Sequence, residues 1–153
     1  MPRLFDDLGV RFAYPDNWEL ERQDIGDAAG VTVTSPEGGF WWLVIHPGNV
    51  DLPQIVKAVL EGLRQEYINN IDIEAVVDEL DGQELIGYDV NFYCLDLTNT
   101  AQLRAFQSPA AAYMMLWQAE DREFAEVEPV FQAITISLIR TAREGVPPPD
   151  DEP

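Results

Sequence analysis

The stretch Phe40-Trp41-Trp42-Leu43-Val44-Ile45 carries no polar residue on either of its two alternating faces. Successive side chains of a strand point to opposite sides of a sheet. Such a run therefore lies either in a strand covered by two layers or in one that presents aromatic rings to a ligand. The adjacent tryptophans carry the same choice: each ring enters its own core layer, or one of them meets solvent.

Upstream of this run, Val31 and Val33 alternate with Thr32 and Thr34, and Ser35-Pro36-Glu37-Gly38-Gly39 supplies turn chemistry, which predicts a hairpin. Further back, Val10, Phe12 and Tyr14 alternate with Arg11 and Ala13. After the turn residues Pro15-Asp16-Asn17, Trp18 and Leu20 alternate with Glu19 and Glu21, which reads as two short strands joined by a turn.

Downstream, the period changes at Asp51. Ile55, Val56, Val59, Leu60, Leu63 and Tyr67 form one helical stripe, with Asp51 as N-cap, Pro53 in the first turn and an end near Asn69 and Asn70. Period two then returns. Ile71, Ile73, Ala75 and Val77 alternate with Asp72, Glu74 and Asp78, and Asp81-Gly82 is a hairpin signal leading into Ile86, Tyr88, Val90, Phe92 and Cys94. Asp96-Leu97-Thr98-Asn99 reads as a turn, and Gln102 to Gln107 and Ala111 to Gln118 as two more strands broken at Ser108-Pro109. Phe124, Val127, Phe131, Ile134 and Leu138 recur at helical spacing, predicting a closing helix with Pro129 in its first turn or at a kink.

Strands, one helix, more strands and a last helix give an α+β class, with a central antiparallel sheet of about six to eight strands flanked by helices. The 153 residues fit a single domain over residues 1–141. Residues 142–153, acidic and rich in proline with no apolar period, read as a disordered tail.

Composition narrows the partners. With 28 Asp+Glu against 9 Lys+Arg the formal net charge is -19, which repels phosphate backbones and anionic lipid, so nucleic acid and membrane are set aside. Solubility alone accounts for such a charge, and a basic protein partner steered by the field is the other reading. Cys94 is the only cysteine, which excludes an intramolecular disulfide and a zinc site built from thiolates of one chain. The first residues contain no apolar targeting segment and no run approaches the roughly 20 apolar residues of a membrane span, so the expected location is the cytoplasm.

Chemistry-bearing motifs are few. The glycine-rich nucleotide signatures, H-E-x-x-H and G-x-S-x-G are all missing. His46, the single histidine, precedes Pro47-Gly48-Asn49 at a strand end and reads as a turn or surface residue and not as a general base. A His46–Cys94 dyad would need a spatial contact that spacing does not provide. The acids Asp78, Glu79, Asp81 and Glu84 do not match a calcium loop, since taking Gly82 as its invariant glycine puts Val77 and Tyr88 at ligand positions. No catalytic set, metal site or cofactor follows. What remains is a surplus of aromatic and thioether side chains, types enriched in interface hot spots, with Trp41, Trp42, Met114 and Trp117 as the candidate partner-binding residues.

The segment Val10-Arg11-Phe12-Ala13-Tyr14-Pro15-Asp16-Asn17-Trp18 resembles the opening of proteins with the fold of PsbP and of the Ran-binding Mog protein, where a strand runs into Tyr-Pro-x-x-Trp. The spacing Phe131-x-x-Ile134-x-x-Ser137 is similar to the end of their last helix. The resemblance spans roughly residues 8–140 and implies a sheet flanked by helices in a protein that acts by docking onto other proteins, secretion-associated chaperones among them. It implies no shared catalytic residues. The functional expectation is a non-enzymatic, adaptor- or chaperone-like module that binds a protein partner, a second copy of itself included. The alternative is a small-molecule site between the sheet and a helix.

Overall fold

The computed structural model describes residues 1–26, 28–66, 71–94 and 96–143. Strands β1 (Arg3–Asp7) and β2 (Val10–Tyr14) form a separate two-stranded hairpin. Strands β3 (Glu19–Ile25), β4 (Ala28–Thr34), β5 (Phe40–Pro47), β6 (Ile71–Leu80), β7 (Gln83–Cys94), β8 (Leu97–Gln107) and β9 (Ala111–Glu120) make one seven-stranded sheet in the order β3-β4-β5-β9-β8-β7-β6. Every pairing is antiparallel. Helix α1 (Leu52–Glu66) leaves β5 and covers one face, and α2 (Asp121–Arg143) follows β9 directly on the other. The expected α+β class, with a flanked antiparallel sheet, is the one observed.

Local chemistry accounts for the elements. Asp51 caps α1, its Oδ1 accepting the Gln54 N–H at 3.3 Å, and Val56, Leu60 and Leu63 form the buried stripe. The end of this helix expected near Asn69 and Asn70, with Tyr67 on the stripe, lies outside the described residues. Asp81 and Gly82 both take positive φ (52° and 83°), the two-residue primed turn whose twist matches a β6–β7 hairpin. Asp121 and Glu123 place negative charge in the first turn of α2, where the helix dipole favours it.

Two apolar layers sandwich the sheet. On one side Trp41, Leu43, Met115 and Trp117 meet α2 residues Phe131, Ile134 and Leu138 together with Phe5 and Phe12 of the hairpin. On the other, Val44, Val90, Leu103, Met114 and Leu116 meet α1. The run that opened the sequence therefore lies in a strand with a core layer on each side.

The two short strands joined by a turn are present as β2 and β3. Strand β2 pairs with β1, a strand with no clear sequence signal because only Phe5 of its five side chains is buried. The turn between β2 and β3 exists, Trp18 N–H donating to the Pro15 carbonyl at 3.2 Å, but it carries the chain from the α2 layer into the main sheet. Pro129 lies inside α2, so of its two expected places the first turn is not the one taken. The last helix runs to Arg143, past residue 141; the remaining tail, residues 144–153, lies outside the described residues.

Candidate partner-binding surface

The four side chains singled out from the sequence do not form one surface. Trp41 is fully buried on the α2 side, 5.0 Å from the Phe12 ring, and its Nε1–H donates to Thr135 Oγ1 at 2.9 Å. Trp117, its cross-strand partner, is buried beside it and donates to Gln102 Oε1 at 2.7 Å. Met114 is buried in the opposite layer under α1. These three are interior residues with their polar handles satisfied, so in this fold they offer no surface to a partner. Alternation located the strands correctly but does not say how far a covering helix extends.

Trp42 differs. It points to the α1 side and is only partly buried, because α1 packs mainly on β8 with smaller contacts to β7 and β9. Register surrounds it with Thr32 on β4, Leu116 on β9, and Phe40 two residues back along its own strand, itself half-buried. Across β4, Thr32 pairs with Glu21 and Thr34 with Glu19 on the exposed edge strand β3. The result is an aromatic strip, Phe40 and Trp42, framed by two threonines and fringed by two carboxylates. Phe40 was not among the residues singled out, although its period-two spacing from Trp42 is its sequence signal.

A second concavity lies on the other side of the molecule, between the end of β2 and the N-terminal half of α2. It encloses about 550 Å³ and is walled chiefly by Tyr14, Pro15, Pro129, Val130 and Ala133. The lining is apolar, and the interior proline contributes to it directly.

The charged groups are engaged in structure. Arg104 is 3% exposed on the α2 side of β8. Its guanidinium reaches Asp89 Oδ1 at 2.7 Å, lies 3.4 Å from Asp78 Oδ2, and donates to the carbonyls of Tyr88 and Leu103 at 3.2 and 3.1 Å. Its Nε–H has no hydrogen-bond acceptor among the described residues, but a guanidinium held by two carboxylates and two carbonyls is a counter-ion for neighbouring acids and not an open anion site. Asp81, also in the acidic stretch, pairs with Arg140 at 3.1 Å. Among the described residues no group of three or more His, Cys, Asp or Glu side chains is placed to hold a metal.

His46 faces Ala112 near one end of the sheet, whereas Cys94 pairs with Leu97 at the other end, with β9 and β8 between their strands. This separation removes the His46–Cys94 dyad. Partial burial lowers the His46 pKa from its ordinary value by desolvation. Among the described residues no helix is long and apolar enough to cross a membrane.

No known family profile matches the sequence, and no curated protein is similar to it. Solved structures do match. A protein from Bacteroides thetaiotaomicron VPI-5482 superposes with a TM-score of 0.57 at 11% identity over 84% of this chain. This chain spans less than half of that protein, 44% of its length. The solution structure of PsbP from the cyanobacterium Synechocystis sp. PCC 6803 superposes with a TM-score of 0.57 at 12% identity, covering 89% of this chain and 90% of PsbP. The match over nearly the whole of both chains gives this protein the fold of cyanobacterial PsbP.

Proposed function

We propose that the chain is a protein-binding module of adaptor or chaperone type, and that its docking surface is the part of the sheet α1 leaves open. The observation that carries this reading is the half-buried pair Phe40 and Trp42 beside Glu19 and Glu21. Aromatic rings on a rigid sheet supply contact area with little conformational entropy to lose, and the acidic fringe favours a cationic partner. An amphipathic segment with apolar and Lys/Arg-bearing faces satisfies both. The net charge of -19 would steer its approach.

The test uses a labelled amphipathic peptide of about 18 Leu and Lys residues, a length that spans about 27 Å as a helix, followed by fluorescence anisotropy. The expected result is binding that weakens at least tenfold in Trp42→Ala and falls with added salt. An affinity unchanged by Trp42→Ala, in protein whose unfolding temperature is retained, overturns the reading.

A second reading is favoured by the apolar cleft between β2 and α2, whose volume of about 550 Å³ lies in the range of small-molecule sites. There the ligand is a compact apolar molecule. Nile red fluorescence enhanced by the protein and abolished in Ala133→Trp supports it; enhancement that survives the filled cleft removes it.

A further inference from the structure

Strand β6 ends the sheet, bonded to β7 on one flank and to no other strand among the described residues. Its ten residues pair with β7 in unbroken register from Ile71 opposite Phe92 to Leu80 opposite Gln83, with no proline and no bulge. Folded proteins ordinarily blunt such a long regular edge, because its outward N–H and C=O groups are a template for another strand. The two faces of β6 carry different chemistry. On the α1 side stand Ile71, Ile73, Ala75 and Val77, placed there because Ala75 pairs with Tyr88 of the α1 layer. Ala75 is exposed and Val77 is 68% exposed, since α1 packs mainly on β8. On the α2 side stand Asp72, Glu74 and Asp78 together with the half-buried Val76 and Leu80, placed there because Glu74 pairs with Asp89, the carboxylate that holds Arg104. Glu79, by the turn, is the one acid of β6 on the α1 side. The strand contains no Lys or Arg.

We infer that β6 is an acceptor edge for an extended, basic segment of a partner protein, which adds to the sheet as an eighth strand. Backbone hydrogen bonds would supply the common affinity of strand addition, and side chains of period two the selectivity. The matching segment alternates apolar residues, which lie beside Ile73, Ala75 and Val77, with Lys or Arg, which face Asp72, Glu74 and Asp78. The same charges argue against a second copy of this chain. Antiparallel pairing of β6 with itself about Ala75 would set Asp72 of each copy opposite Asp78 of the other, and like charges on paired strands are destabilising. The edge is thus closed to self-association and open to a cationic strand. Strands β9, β8 and β7 separate this edge from β5, which carries Trp42, so the inference is independent of the reading above.

The experiment titrates the full chain into a fluorescein-labelled, end-blocked ten-residue peptide of alternating Lys and Val, with a Glu/Val peptide of equal length as comparison. The expected result is anisotropy-detected binding of the Lys peptide at least tenfold tighter than the Glu peptide, with the difference shrinking in high salt. Affinity should fall at least tenfold in Glu74→Lys and in Val77→Lys, both exposed positions whose circular dichroism should match the parent. It should be unchanged in Glu61→Gln, on the exposed face of α1 and outside both surfaces. Amide exchange should slow along β6 when the peptide is bound. Equal binding of both peptides overturns the inference, as does loss on Trp42→Ala with no loss on Glu74→Lys. So does a scattering mass showing a dimer that Val77→Lys dissolves, or failure of the Lys peptide to bind.

Discussion

Ser137 on α2 accepts the backbone N–H of Ala13 on β2 at 2.9 Å, and one turn on, the Thr141 hydroxyl donates to the Arg11 carbonyl at 2.7 Å. Residues 11 and 13 present their polar groups to the same side of β2, away from β1. Two helix side chains therefore take the place of a third strand along the small hairpin. Both stretches that carry the sequence resemblance, residues 10–18 and 131–137, meet here, and Trp18 packs edge-on against Phe131 at 5.8 Å.

Removal of the Ser137 hydroxyl leaves the half-buried Ala13 N–H without its partner. Ser137→Ala should cost about 1–2 kcal/mol, which lowers the midpoint of thermal unfolding by about 2–8 °C for a chain of this size. Calorimetry checks the shift. A midpoint within one degree of the parent would show that water replaces Ser137 and that the hairpin is held by its apolar contacts alone.

Trp41 and Thr135 form a buried pair in which the indole N–H donates to a hydroxyl that itself donates to the Phe131 carbonyl at 2.8 Å. Thr135→Val strands the indole N–H in an apolar layer, a loss of about 1–3 kcal/mol. Trp41→Phe removes the donor and also leaves a cavity, so it should cost more. The two losses overlap in the shared hydrogen bond. The double variant should therefore be less destabilised than the sum of the singles, and urea unfolding of the four proteins measures the difference.

Strong local patterns carried most of the architecture in the sequence. Asp51 with the stripe Val56, Leu60 and Leu63 marked α1, and Asp81-Gly82 marked the β6–β7 hairpin, because caps and primed turns are decided by a few neighbouring residues. Strand β1 was not legible, since its one buried side chain, Phe5, makes no periodic pattern, and its turn places Leu8 at φ 56°, where a glycine would be anticipated. Burial of Trp41, Met114 and Trp117 was not legible either, because the face a helix covers depends on how α1 and α2 cross the sheet and not on alternation along one strand. For the same reason Trp42, next to Trp41 in sequence, keeps a surface that its neighbour lacks.

His46 is the only histidine, so its titration can be followed without assignment. Desolvation places its folded-state pKa below the ordinary value of about 6.5. The unfolded chain then takes up the proton first. Stability contributed by neutral His46 is full above the unfolded pKa, declines as pH falls through it, and levels off below the folded pKa. The imidazole proton resonance should titrate with a midpoint below 6.5, and His46→Asn should flatten the corresponding step in stability against pH. A midpoint at or above 6.5 would show that the ring is solvated.

Gly87 lies opposite Arg104 in the β7–β8 ladder, where a Cβ on Gly87 would overlap the carbonyl of Leu103. The obstacle is backbone, which cannot swing aside as a side chain would. Gly87→Ala should therefore separate the two strands locally. The Tyr88 and Leu103 carbonyls and the Asp89 carboxylate that hold the Arg104 guanidinium would shift with them. A buried guanidinium that loses part of this cage keeps its desolvation cost with less compensation. The combined loss should reach at least about 3 kcal/mol, well beyond an ordinary surface change. Arg104→Met in the Gly87→Ala background separates the two contributions. If the buried charge carries much of the penalty, the second change recovers part of the lost stability. If overlap with the Leu103 carbonyl carries all of it, the chemical unfolding midpoint of the double variant lies no higher than that of Gly87→Ala.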